Sequence, residues 1–531
     1  MDTITVVPDQ THRRRYAILA VLCLSLFLIV VDNTIVNVAL PTLVRDLSAT
    51  STQLAWVVDA YSLVFAGLLL AMGSLGDRYG RKGALALGLV AFIGFSTVAS
   101  FTHTPGQLIA ARAAMGLSAA LIFPATLAIL ANVFADPVER AKAIGIWSAV
   151  VGAAVALGPI SGGFLLKHFW WGSVFLVNLP IGLVALALGW HLIPNSRDPE
   201  APRLDTPGLV LSAVGVTTLV YAVIEGPKHG WTSFATLGLF IAAALAVVAF
   251  VWWERRTAHP MLDVTVFANS RFSAASGAVT LAFFALFGFI FMLTQYLQFV
   301  RGYDTLSAGL RTLPFAIATG IAAPIAPRLA HRFGTKRVVA AGLAFMSAGL
   351  VIAATCATTT PYRVIALAAI VMGLGLGLTT SPATESIMGS LPKEKAGVGS
   401  AVNDATREVG GTLGVAVIGS LLASVYSGRL DKALAPLPLP ASAKAIARES
   451  VGAAFAVAER AGQTAGPQAA QAVRQAAANA FVDGFHVGAL VAAAVALAGA
   501  GFALRFLPAR AAAGAPTPVL ELAPDALVAV D

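Results

Sequence analysis

Long uninterrupted apolar runs alternate along this chain with short connections that carry most of its charge. The runs fall at 16–40, 54–74, 84–102, 107–133, 142–166, 172–193, 207–225, 234–253, 273–299, 306–330, 337–356, 363–390, 398–424 and 483–507, which is fourteen. About 20 apolar residues in helical conformation cross the hydrocarbon of a bilayer, and none of these runs shows the alternation over about ten residues that marks a barrel strand. In hydrocarbon every backbone N–H and C=O must be satisfied within the segment, which helices achieve. The pattern therefore predicts an all-α polytopic membrane protein.

Composition agrees. Hydrophobic residues are 58% of the 531, charged residues only 11%, and the mean hydropathy is +0.81. Soluble domains carry about 25% charged residues, and intrinsic disorder needs low hydrophobicity with high net charge. A soluble enzyme, a nucleic-acid binder and a disulfide-stapled secreted domain are thereby excluded. The net charge of +9 is read as orientation in a membrane rather than as a nucleic-acid footprint. Cys23 and Cys356 both lie inside or at the end of apolar runs and suggest neither a disulfide framework nor a metal site. The basic start His12-Arg13-Arg14-Arg15 leads into a run too long for a signal-peptide core, so it reads as the first span.

Placing the N-terminus inside gives twenty Lys and Arg on that side, against five in the short loops opposite (Arg45, Lys167, Lys228, Arg301, Arg363). That bias puts both termini in the cytoplasm of a cell with the protein in its cytoplasmic membrane. The segment 425–482, alanine-rich with scattered charge, is then an extracytoplasmic loop expected to form short amphipathic helices.

The chain also repeats itself. Asp77-Arg78-Tyr79-Gly80-Arg81-Lys82-Gly83 follows the second run, and His331-Arg332-Phe333-Gly334-Thr335-Lys336-Arg337 follows the tenth, 254 residues later. Matching the tenth run to the second leaves runs seven and eight over. The expected organisation is a six-helix half over 1–193, two inserted helices with their loops over 194–256, and a second six-helix half over 257–531.

Ionisable residues inside membrane spans are costly and are functional suspects by default. At 1.5 Å per residue, Asp32 lies roughly 13 Å, Asp59 roughly 8–10 Å and Arg112 roughly 9 Å from the outer ends of their spans. Two carboxylates and a guanidinium at one level make a proton and cation site. Burial and a like-charged neighbour favour the neutral carboxyl, whereas Arg112 favours the charged one. A static ion pair that only fixes helix packing is the competing reading. Asn33 and Asn37, four apart, share a helix face and either line a cavity or bond a neighbouring helix. Glu385, Asp404, Arg407 and Glu408 lie toward the cytoplasmic ends of their spans; local ion pairing and a gate or substrate-entry role both fit them.

Tyr61, Phe287 and Phe291 are candidates for a substrate cavity that receives flat lipophilic cations by stacking and cation–π contact. Gly145, Gly158, Pro159, Gly162 and Gly163 place small residues and a proline within one span, which predicts a hinge or a close helix contact. No catalytic cluster, metal-ligand spacing or nucleotide-binding signature occurs, so neither an enzyme nor an ATP-driven pump is expected, and no cofactor.

These residues resemble known signatures. Gly73-Ser74-Leu75-Gly76-Asp77-Arg78-Tyr79-Gly80-Arg81-Lys82 resembles the loop 2–3 motif of the major facilitator superfamily. Asp32-Asn33-Thr34-Ile35-Val36-Asn37-Val38-Ala39-Leu40-Pro41 resembles the first-span signature of its fourteen-helix drug:proton antiporters. Leu108 through Arg112 to Gly116 is similar to the fourth-span motif whose arginine is tied to proton transfer, and Gly145 through Gly163 to the antiporter motif. Met115 and Ala154 depart from the usual glutamine and glycine, and Trp171-Gly172-Ser173 resembles the branch exporting quaternary ammonium compounds and dyes. The resemblance implies a major facilitator fold and a part for Asp32 and Arg112 in proton coupling, to which depth in the membrane adds Asp59. It implies Gly73, Asp77, Arg78, Gly80, Arg81 and Lys82 as a conformational lock, and export of lipophilic, often cationic drugs in exchange for protons. Membrane lipids, protons and such drugs are the expected partners, nucleic acid is not, and the monomer is the expected working unit. A dedicated exporter of one metabolite, such as a self-made antibiotic, is the alternative on the same scaffold.

Overall fold

The computed structural model describes residues 9–47, 51–197, 205–257, 260, 262, 264–391, 396–437 and 439–508. The N-terminal portion comprises α1 (Asp9–Leu47), α2 (Ser51–Tyr79), α3 (Arg81–Ser100), α4 (Pro105–Val133), α5 (Pro137–His168), the single turn α6 (Ser173–Leu176) and α7 (Asn178–Leu192). A helical pair follows, α8 (Thr206–His229) and α9 (Phe234–Glu254). The C-terminal portion comprises α10 (Ser270–Gln295), α11 (Thr305–Leu310), α12 (Leu313–Phe333), α13 (Thr335–Ala353), α14 (Tyr362–Met388), α15 (Ala396–Leu434), α16 (Ala441–Glu449), α17 (Val451–Ala465) and α18 (Pro467–Phe506). Fourteen segments are long and apolar enough to cross a membrane, as the run pattern predicts.

Helix ends follow local chemistry. Thr104 and Asp136 accept from the amides of Gln107 and Glu139, each with proline at the next position, so that the missing proline N–H is one that no helix would use. Asp205, Ser233, Asp304 and Ser450 cap their helices in the same way. Hydrogen bonds from Ser307 hold the Asp304 carboxyl below its ordinary range, which keeps the capping group charged. The repeat seen in the sequence is also a repeat of backbone. Gly80 and Gly334 have φ of +116° and +90°, and each joins two consecutive helices with no other residue between them. An L side chain is strained there, which explains why glycine stands at both places.

Two apolar cores form, one chiefly of α1–α7 and one chiefly of α10–α18, the second taking in Phe250 of α9. α8 packs on α2 and on α15, bridging the portions; Trp231 Nε1 donates to Ser420 Oγ of α15 at 3.1 Å. Helix α4 is the most enclosed segment, 78% buried, and α9 the least, at 17%. The two cysteines are buried and free, one in each core, and burial pushes the Cys356 thiol up to about 11.

One expectation needs correction. The segment 425–482 is chiefly helix rather than loop: α15 continues to Leu434 and α18 already begins at Pro467. Each is about 60 Å long at 1.5 Å per residue, about twice the hydrocarbon thickness, so both project beyond it. Only α16 and α17 are the short helices expected, and Tyr426 of α15 donates to the carbonyls of Ala447 and Ser450 to fasten them. The tenth span is broken at Arg311–Thr312 between α11 and α12, where the Arg311 guanidinium lies 3.7 Å from the Tyr303 ring centroid.

Candidate functional site

Asp32 and Arg112 meet in the interior of the N-terminal portion, both wholly shielded from solvent. Arg112 Nη1 donates to Asp32 Oδ2 at 2.5 Å, and Arg112 Nε donates to the carbonyl of Val57 at 3.1 Å. The other carboxylate oxygen accepts from Asn178 Nδ2 at 2.7 Å, and that amide is also bonded to Ser96 Oγ at 2.9 Å. Helices α1, α2, α3, α4 and α7 thus all contribute. α4 approaches α2 so closely that a Cβ on Gly116 would lie 2.5 Å from the Tyr61 carbonyl oxygen, so glycine is required for Arg112 to reach its partners. Three polar atoms in this cluster have no hydrogen-bond partner: Arg112 Nη2, Tyr61 Oη and Asn178 Oδ1. Buried unsatisfied groups cost about 1–3 kcal/mol each, which is tolerable where a proton or water exchanges.

Asp59 shares the depth of this pair but not its face. It is half-buried on α2. The reason is helical phase. Tyr61 turns its ring over Arg112, 4.3 Å from the guanidinium, and the residue two positions earlier points to the other side of the helix. Trp56, three before Asp59, lies 6.2 Å from Tyr221 of α8, so Asp59 faces the inserted helices. Asn33 is half-buried beside Asp32; the side chain of Asn37 lies outside those described.

The C-terminal cluster differs from local ion pairing. Asp404 accepts from Asn403 Nδ2 at 3.0 Å and Ser400 Oγ at 3.4 Å. Arg407, three residues on, forms no ion pair among the described residues. Its guanidinium lies 4.8 Å from the Trp147 ring centroid and 5.2 Å from that of Phe283, and its Nη2 donates to Thr384 Oγ1 at 2.9 Å. Glu408 points instead to α2, accepting from Ser62. Glu385 is not a partner of this cluster; it accepts from Arg140 Nη2 of α5 at 3.0 Å, with Arg271 of α10 as a second cation nearby.

Between the two guanidinium groups runs a row of buried rings that sequence reading did not assemble. Tyr61 stacks on Phe65 at 5.9 Å, Phe65 meets Phe123 at 5.7 Å, and Phe123 meets Trp147 edge-on at 5.8 Å. Arg112 covers one end of the row and Arg407 the other. Only helix-to-helix register brings these rings together, since they come from α2, α4 and α5. Phe287 stacks on Phe283 at 6.0 Å and packs on Gly411, while Phe291 packs on Gly419, so both line the α10–α15 contact.

The glycine-rich span, α5, is a set of close contacts along an unbroken helix. A Cβ on Gly145 would lie 2.8 Å from the Ala323 carbonyl of α12, one on Gly158 would collide with Thr34 of α1, and one on Gly162 would meet Ile35 at 2.8 Å. Gly163 and Pro159 lie against α11. At the face of the bundle that carries the chain ends, Gly73 is buried in α2 and Asp77 joins the two portions. Its Oδ1 accepts from Arg81 Nε at 2.7 Å, and its Oδ2 accepts from the amide of Val398 in the first turn of α15 at 3.1 Å. A carboxylate at a helix N-terminus is favoured by the helix dipole. Arg78 is half-buried here, and Lys82 Nζ lies 5.4 Å from the Trp190 ring centroid.

Known proteins are similar to this chain in sequence and fold. Over 449 residues the chain is 38% identical to the multidrug efflux pump LfrA of Mycolicibacterium smegmatis, covering 85% of this chain and 88% of that one. It is 34% identical over 441 residues to the methyl viologen resistance protein SmvA of Salmonella typhimurium, covering 82% and 87%. It is 32% identical to the tetracenomycin C resistance and export protein of Streptomyces glaucescens, covering 82% and 81%. The human organic anion transporter MFSD10 (TETRAN) has the same fold with a TM-score of 0.60 at 14% identity, covering 93% of this chain and all of that one. The family model of the Major Facilitator Superfamily matches residues 22–415, and with fourteen membrane-length helices in this packing the chain belongs to that superfamily of transporters.

Proposed function

We propose that this protein exports lipophilic, often cationic compounds across the cytoplasmic membrane in exchange for protons. The observation that carries this is the fully enclosed Asp32–Arg112 pair with three unpartnered polar atoms around it. A carboxylate there is stable as an anion only while the guanidinium stays; protonation removes the reason for the pair to hold. Gain and loss of one proton at Asp32 is therefore tied to whether α1 and α4 stay locked, which is what exchange by alternating access requires. Asp59 serves as a counter-charge beside the inserted helices. Asp77 with the Val398 amide, and Arg140 with Glu385, hold the two portions together at the face carrying the termini, which we place in the cytoplasm.

The names of the relatives support export of toxic compounds. The tetracenomycin and methylenomycin resistance relatives favour a second reading, a dedicated exporter of one antibiotic. Drug-driven proton release in everted vesicles tests transport, and a resistance panel of unrelated toxic compounds separates broad from narrow export. No proton release with any compound on the panel that the protein renders harmless overturns antiport. An Arg460→Cys variant is expected to react with impermeant thiol reagent added from outside; reaction only after permeabilisation reverses the orientation.

A further inference from the structure

The aromatic row ends differently at its two guanidinium groups. Arg112 is anchored by a carboxylate and a backbone carbonyl. Arg407 has one hydrogen bond, to Thr384, no carboxylate within 4.0 Å, and a buried Nε with no partner. Its charge rests on the face of Trp147 and the ring of Phe283, both buried, with the Asp404 carboxylate attracting it from beyond hydrogen-bonding distance. Trp147 belongs to α5 and is itself fixed by donating from Nε1 to Thr126 Oγ1 at 3.2 Å. Phe283 and Arg407 belong to α10 and α15. The cation therefore sits across the junction of the two portions, and parting them carries Arg407 away from Trp147.

We propose that the Trp147 face, with Phe283 opposite, is the subsite for a planar aromatic cation, and that the Arg407 guanidinium is its resident occupant. A guanidinium is flat, delocalised and weakly hydrated, which makes it the protein side chain most like such a cation. It fills the aromatic box when no compound is bound, so that no ring face is left bare between the portions. A compound that binds there must displace it. Displacement is possible because Arg407 lacks the carboxylate that fixes Arg112. This inference rests on the export reading for its ligand class and adds to it the ring that receives the charge.

The test is equilibrium binding of ethidium, and of a neutral phenanthridine of similar shape, to the purified full-length protein. Arg407→Gln removes the competitor and is expected to tighten ethidium binding about tenfold, as one buried cation–π contact is worth, with a clearly smaller gain for the neutral compound. Arg407→Lys keeps a cation near the ring and is expected to stay within about threefold of the parent protein. Trp147→Leu is expected to weaken ethidium and to abolish the gain when combined with Arg407→Gln; that loss of additivity ties the effect to the ring. Unchanged or weaker ethidium binding by Arg407→Gln, an equal gain for the neutral compound, or a gain that survives Trp147→Leu overturns the proposal. If Arg407→Gln does not yield folded protein, Arg407→Met carries the same expectations. A parent protein that confers ethidium resistance and yet shows no gain in the variant overturns this inference alone. A parent protein that neither binds nor exports any cation overturns the export reading instead.

Discussion

Arg112 and Arg407 are both enclosed, both cover aromatic rings, and both have an aspartate in their own portion, yet only Arg112 forms an ion pair. The partner of Arg112 stands on another helix, on a facing register, where the two side chains converge head-on. Asp404 stands three residues before Arg407 on the same helix, a spacing that allows contact. There the carboxylate is taken up by Asn403 and Ser400 and the long arginine reaches across to α5 instead. Charge composition is alike in the two clusters; the direction in which each arginine extends decides that one pairs with a carboxylate and the other lies on aromatic rings.

The largest expected effect falls on the ion pair. Asp32→Asn keeps the shape but cannot titrate, and is expected to abolish drug-driven proton release in everted vesicles while compound binding persists. Full release at matched expression would move the coupling group to Asp59 or to the Asp404 and Glu408 pair. Stability sharpens the same contrast. Arg112→Ala leaves a buried carboxylate without its cation and is expected to cost about 3–5 kcal/mol, read as a lowered unfolding midpoint in detergent. Arg407→Gln leaves Asp404 its hydrogen bonds from Asn403 and Ser400 and is expected to cost clearly less, about 1–3 kcal/mol for a hydrogen bond to a charged group. Equal costs would mean that the two arginines are equivalent structural ties. Asp77→Asn weakens a bond between the portions rather than within one. It is expected to lower transport several-fold with membrane insertion intact, and equal transport at equal expression counts against the latch. Asp59→Asn is expected to have the smallest effect, a few-fold loss confined to cationic compounds in a resistance panel; a uniform loss would return Asp59 to the coupling group.

Some of the site was legible before any fold. Depth along a helix follows from residue count, so Asp32 and Arg112 could be placed at one level from sequence. The same count placed Asp59 there as well, because depth says nothing about which way a side chain points in a bundle. The roles of Asn178, Ser96, Thr384, Phe65 and Phe123 carried no sequence signal of their own. A lone Asn, Ser, Thr or Phe in a span is common, and only contact gives each its partner. Glu385 read as a neighbour of Asp404 because both lie near one end of their spans; in the fold it faces Arg140 across the junction.

By itself the sequence determined the fourteen spans, the all-helical class, the repeat that sets Gly80 and Gly334 in corresponding places, and the small-residue contacts of α5. Each rests on local physics: the hydrocarbon thickness, the obligation to satisfy backbone groups, and the absence of a Cβ. Tertiary structure decided which charges pair, which rings align and where the long helices end. α15 and α18 run past the bilayer span because they pack along each other and carry α16 and α17, which hydropathy does not register. The pairing of Asp32 with Arg112, and the seating of Arg407 on Trp147, depend on the rotation of helices about their axes. That rotation is set by the packing of all neighbours together, and it cannot be read from any one segment.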